Sequence, residues 1–121
     1  MRLMIAAVLL SLMIGNVYGQ RIDSPERITI DQRNYVAEPA ARLARCGRMD
    51  FATHLIDVYV DRFSRHLSTA PETLRDRLYK MSYEQYEVLL LANWPDPRTA
   101  AVECAAHTRL ALELIARWNY L

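Results

Sequence analysis

The chain has 121 residues, of which 15 are basic and 14 acidic, for a formal net charge of +1 at pH 7. Without Arg2, the only cation in residues 1–19, the two signs balance, so no global field steers the molecule toward nucleic acid or an anionic membrane. The two cysteines form no C-x-x-C redox pair, and three glycines leave no phosphate-cradling loop.

The chain opens with the pattern of an export signal. Arg2 supplies a positive n-region, Leu3 to Ile14 is apolar and uncharged, and Val17-Tyr18-Gly19 ends in the small residue that signal peptidase requires. The apolar run is shorter than the roughly 20 residues needed to cross a bilayer. A signal peptide over residues 1–19 is expected, with cleavage before Gln20 and no stable membrane anchor afterwards. The expected location is the bacterial periplasm or a secreted space. The periplasm is preferred because there is no N-x-S/T sequon and cysteines are few.

Residues 20–37 are polar apart from Ile28, Ile30, Tyr35 and Val36. "RITID" alternates with period two, and a lone strand is not stable. An extended N-terminal arm over 20–37 is therefore expected, ahead of a helical domain over 38–121.

The helical domain opens with "EPAARLARC", where Pro39 suits a first turn because its missing N–H costs nothing there. Gly47 marks a stop. Asp50 is placed to cap the next helix, in which Phe51, Leu55, Val58, Tyr59 and Phe63 recur at helical spacing. Thr69 and Glu72, with Pro71 between them, have capping-box spacing, and Ser82 with Gln85 repeats it. Asp96 followed by Pro97 starts the last helix. Short capped connections between four or five helices predict an all-α fold, a small four- to five-helix bundle.

On a wheel of about 100° per residue, Cys104 falls with Ala101, Ala105, Thr108, Ala111, Ile115 and Trp118 on the apolar face of the last helix. In an oxidising compartment a Cys46–Cys104 disulfide is the simplest use of two cysteines. The rival use is a reactive Cys46 thiolate held by Arg45 and Arg48. It is the weaker one, because consecutive helical residues point about 100° apart. A helix running straight through Gly47 would put Cys46 on the acidic face of the next segment, so a break at Gly47 is expected.

Asp50, His54, Asp57 and Asp61 lie within about 60° on one helix. They are a weak metal candidate without converging ligands, and Arg65 sits one turn beyond Asp61 as an ordinary surface partner. His107 follows Glu103 by four residues, the spacing of a boundary salt link more than of an acid/base dyad. No catalytic constellation or cofactor is expected. Candidate partner-binding residues are Trp94, in a linker stiffened by Pro95 and Pro97, Tyr83 and Tyr86 on one helical stripe with Tyr79, and the cluster Arg42, Arg45 and Arg48.

The expected function is that of a small exported, non-enzymatic protein-binding module. An inhibitor or immunity protein directed at an envelope-acting protein is one such role. The partner is another protein rather than nucleic acid. The alternative is a periplasmic stress or acid chaperone of small helical two-cysteine type, an analogy of architecture only.

Overall fold

A computed structural model of the chain describes residues 25–92, 94 and 96–120. The expected signal peptide and residues 20–24 of the expected arm lie outside the described residues. Every regular element among them is helical: α1 (Pro25–Gln32), a π-helical turn (Arg33–Ala37), α2 (Glu38–Arg45), α3 (Met49–Phe63), α4 (Pro71–Leu90) and α5 (Pro97–Asn119). None of these helices is long and apolar enough to cross a membrane.

The described part of the expected arm, 25–37, is helical rather than extended. Within residues 25–31, Pro25 opens the helix, Thr29 Oγ1 donates to Pro25 O at 2.9 Å, and Arg27 Nε lies 3.9 Å from Asp31 Oδ1. A helix satisfies its own backbone groups, which a lone strand cannot, and this outweighs the period-two alternation of "RITID".

Residues Gln32–Leu121 form one compact unit. In its π turn the Glu38 N–H donates to Arg33 O, one residue further back than in an α-helix. Pro39 explains the widening, because a proline ring collides with the carbonyl four residues earlier. Gln32, Val36, Ala40 and Leu43 are buried at spacings of four, four and three. The Gln32 amide is enclosed without a hydrogen-bond partner among the described residues.

The break at Gly47 is present. Gly47 has φ +80°, its N–H donates to Ala44 O, and the Arg48 N–H reaches back to Leu43 O, both at 2.9 Å. These two bonds form a Schellman motif, which ends a helix on a left-handed residue. α3 starts two residues earlier than expected. Its N-cap is Arg48, without a side-chain cap, and Asp50 lies in the first turn, where its Oδ1 accepts from Arg48 Nε at 3.3 Å.

Helical turns continue beyond Phe63 to Leu67 and end on Ser68 at φ 54°. The Thr69 N–H donates to Ser64 O and the Ser68 N–H to Arg65 O, so the same motif recurs with serine where glycine is usual. The Thr69 hydroxyl donates to Leu67 O at 3.1 Å, and the N-cap of α4 is Ala70, with no side-chain bond. The expected Thr69–Glu72 capping box is therefore absent. The expected start at Ser82 is absent too. α4 runs unbroken from Pro71 to Leu90, because no proline or glycine interrupts residues 72–90 and capping-type spacing alone does not end a helix. Asp96 does cap α5: its carboxylate accepts from the Thr99 N–H at 2.7 Å and the Thr99 hydroxyl at 3.1 Å.

The core gathers Val36, Ala40 and Leu43 with Leu55, Ile56 and Val60 of α3, Leu74 and Leu78 of α4, and Ala111, Leu114 and Trp118 of α5. α2 packs against α3, α4 and α5, and its alanines let the other helices close around it. The Trp118 ring meets the edges of Tyr59 at 5.3 Å and Phe63 at 6.3 Å, centroid to centroid.

Cys46 and Cys104 are joined, with Cα atoms 5.8 Å apart and a sequence separation of 58. Closing a loop of that length in the unfolded chain stabilises the fold by about 4 kcal/mol in the chain-entropy account. The bond lies at the edge of the core. Cys104 is half-buried while Ala101 and Ala105 are exposed, and only the C-terminal half of α5 carries fully buried residues. The disulfide fastens the half of α5 that packing leaves loose.

Candidate functional site

The structure separates the candidate partner-binding residues into two groups. The first surrounds the Gly47 corner. Arg45 Nη2 donates to Ala92 O at 2.6 Å, and its guanidinium lies 3.8 Å over the centroid of Trp94. Arg45 thereby pins the α4–α5 linker to the end of α2, through a charge-assisted hydrogen bond and a cation–π contact made by one planar group. Trp94 is half-buried under it. Arg42 Nε lies 3.8 Å from Glu38 Oε1, and Arg48 pairs with Asp50 and sits 5.5 Å over the ring of Phe51. All three arginines are engaged by groups of this chain.

The second group lies beyond Ala44, between α3 and α4. Tyr79, Tyr83 and Tyr86 occupy successive turns of α4 and face Met49, Thr53 and Ile56 of α3. Ala44 and the buried Ala52 line the space between these larger side chains. These small residues open a groove of about 310 Å³ whose lining is almost wholly apolar. Tyr83 and Met49 are the most exposed apolar wall residues, at 61% and 59%. Their exposure matters because large apolar side chains at the surface, grouped around a concavity, are the usual sign of a docking face.

One end of the groove is closed by a polar link. Arg75 Nε donates to Asp57 Oδ1 at 3.1 Å, and the Tyr79 hydroxyl donates to the same oxygen at 3.5 Å. Burial, and then the negative charge of Asp57, raise the Tyr79 phenol above its ordinary value of 10.0, so it stays a neutral hydrogen-bond donor.

Two of the three carboxylates considered for a metal are engaged in such contacts. Asp57 is half-buried and turned toward α4, Asp50 is paired with Arg48, and His54 lies beside the Phe51 ring at 6.4 Å. No ion pair joins Asp61 to Arg65 among the described residues. No three His, Cys, Asp or Glu side chains among the described residues are grouped to hold a metal ion.

His107 Nε2 is enclosed 3.5 Å from Glu103 Oε1, too poorly aligned for a hydrogen bond. Burial, followed by the positive charge of Arg42 across the interface with α2, holds its pKa below the ordinary 6.5; Glu103 and Glu38 oppose this less strongly. It is a neutral interface residue at pH 7.

Met49, Thr53 and the two alanines escape a reading of the sequence. The signal available is the pairing of Ala44 and Ala52 with the three-tyrosine stripe, which becomes meaningful only once α3 and α4 are known to be neighbours. Comparison with known protein families, with characterised proteins and with solved structures finds no match.

Proposed function

We propose that this chain is a small exported, non-enzymatic protein-binding module, suited to the work of an inhibitor or immunity protein directed at an envelope-acting protein. The observation that carries the reading is the tyrosine-walled groove. Three tyrosines and a methionine are presented on two helices, in a fold braced by a disulfide and an arginine pin. Rigid aromatic side chains lose little entropy on binding and dominate interface energies. The disulfide itself suits an oxidising, exported location.

The test is affinity capture of the disulfide-intact protein's partner from an extract of exported proteins of the source organism, comparing wild type, Tyr83→Asp and Val102→Asp. Val102 is 67% exposed on α5, away from the groove lining. The expected result is one partner at one-to-one stoichiometry that Tyr83→Asp loses and Val102→Asp keeps. Equal capture by all three variants contradicts the assignment of the surface.

The chaperone reading keeps one observation in its favour: His107, enclosed and neutral beside Arg42, must be charged against both burial and repulsion on acidification. The discriminator is behaviour near pH 3. A chaperone exposes apolar surface and holds unrelated clients there, whereas a dedicated binding module keeps its single partner at neutrality and shows no client range in acid.

A further inference from the structure

The α3–α4 seam continues past the Asp57–Arg75 link into a second concavity. This bowl, of about 920 Å³, is lined by Arg62, Arg65, His66 and Arg75 together with Val60, Ser64, Thr69 and Pro71, and Asp61 is the one carboxylate in the lining among the described residues. Three further features favour negative charge there. The N-terminus of α4 reaches the bowl through Pro71 and has no side-chain cap on Ala70, leaving first-turn N–H groups and the positive dipole end available. Ser64, 7% exposed, adds a polar residue to the lining. The Arg65 side chain is exposed and makes no hydrogen bond or ion pair among the described residues, so its fork is ready for a carboxylate.

Groove and bowl are consecutive on the same helices. Tyr79 of the groove lies one turn of α4 beyond Arg75 of the bowl, and the stretch from Pro71 to Tyr86 is about 22 Å long at 1.5 Å per residue. An extended peptide of about seven residues covers that length.

We propose that the α3–α4 seam is a docking strip for an extended acidic segment of a partner protein. Its apolar side chains fill the tyrosine groove, and its carboxylates lie in the arginine bowl beyond the Asp57–Arg75 link. The inference rests on the protein-binding reading above and adds the chemistry of the partner. The apolar walls choose the anchoring residues, while the Arg65 fork and the open helix end choose the sign of the residues beside them. The strip also sets the spacing: the carboxylates stand two to four residues from the apolar anchors, since about 3.3 Å per residue must carry the chain across the link.

The experiment pans phage-displayed random dodecapeptides against the disulfide-intact protein. Fluorescein-labelled copies of the selected peptides are then titrated by anisotropy against wild type, Tyr83→Ala and Arg65→Glu. Helical circular dichroism checks that each variant is folded. The expected binders carry two or more Asp or Glu a few residues from an apolar pair. Each substitution weakens them at least about ten-fold, and replacing their acids by Asn and Gln removes the sensitivity to Arg65→Glu. Raising salt from about 50 to about 300 mM erodes the charged contribution. Neutral binders that depend on Tyr83 but ignore Arg65→Glu overturn the strip and leave the protein-binding reading standing. A selection with no Tyr83-dependent binder overturns both. Arg65-dependent binding of inorganic phosphate, with no acidic peptide selected, overturns the strip and makes the bowl a small-anion site.

Discussion

Arg45→Ala removes one planar group that holds two structures at once. The hydrogen bond to Ala92 O is short and charge-assisted, a type worth about 1.5–3 kcal/mol, and its exposed setting places it at the low end. The stack on Trp94 adds about 0.5–1 kcal/mol at a half-exposed site. Since solvent replaces part of both contacts, the expected loss is about 1–2 kcal/mol. With a urea slope near 1 kcal/mol per molar for a domain of this size, the midpoint falls by about 1–2 M. The assay is urea denaturation followed by Trp94 emission in a Trp118→Phe background, since the chain has two tryptophans. Arg45→Lys recovers the donor but not the planar stack, so it should regain only part of the loss. A double-mutant cycle with Trp94→Ala, followed by helical circular dichroism because Trp94 is then absent, should return a coupling of about 0.5–1 kcal/mol. A change below about 0.3 kcal/mol on Arg45→Ala, with unaltered Trp94 emission, would refute the pin and leave Arg45 free to bind a partner.

The same geometry sets other outcomes. Replacing Cys46 and Cys104 together by alanine should cost about 4 kcal/mol in denaturant, with amide exchange rising first in the N-terminal half of α5. Gly47→Ala should destabilise by about 1–2 kcal/mol through backbone strain alone, since a Cβ there meets nothing within 4 Å. Ser68→Gly should do the reverse by roughly 0.5 kcal/mol, the relief of strain at φ 54° being partly offset by the greater freedom of an unfolded glycine. For His107, the folded pKa lies below 6.5, so the unfolded chain binds the proton more readily. Its contribution to stability is complete above pH 6.5 and declines as pH falls below that value toward the lowered folded pKa. His107→Gln should flatten that part of the stability profile, which urea melts across pH 4 to 8 would measure.

Much of the helical layout is legible because specific residues punctuate it. Gly47, Pro71, Asp96 and Pro97 mark real boundaries, and the disulfide is expected from two cysteines in a chain with an export-type start. The failures share a cause. Thr69, Ser82 and Asp50 have the residue types of caps, yet the local backbone found other partners or no reason to stop. "RITID" alternates like a strand but has no neighbouring strand to pair with among the described residues. On the site, the tyrosine stripe is visible at helical spacing. The arginine corner is not, because sequence shows charges without showing what they touch: Arg45 meets a carbonyl 47 residues away and a ring beyond it. The groove and the bowl depend on α3 lying beside α4, a tertiary fact with no local signature.

The Tyr83 face is the proposed surface for a partner protein. The most direct measurement is site-specific photo-crosslinking in the source organism, with p-benzoylphenylalanine at position 83 and, separately, at position 102. The account predicts one discrete protein adduct from position 83 and none from position 102. Equal adducts from both positions, or an adduct from 102 alone, would contradict it.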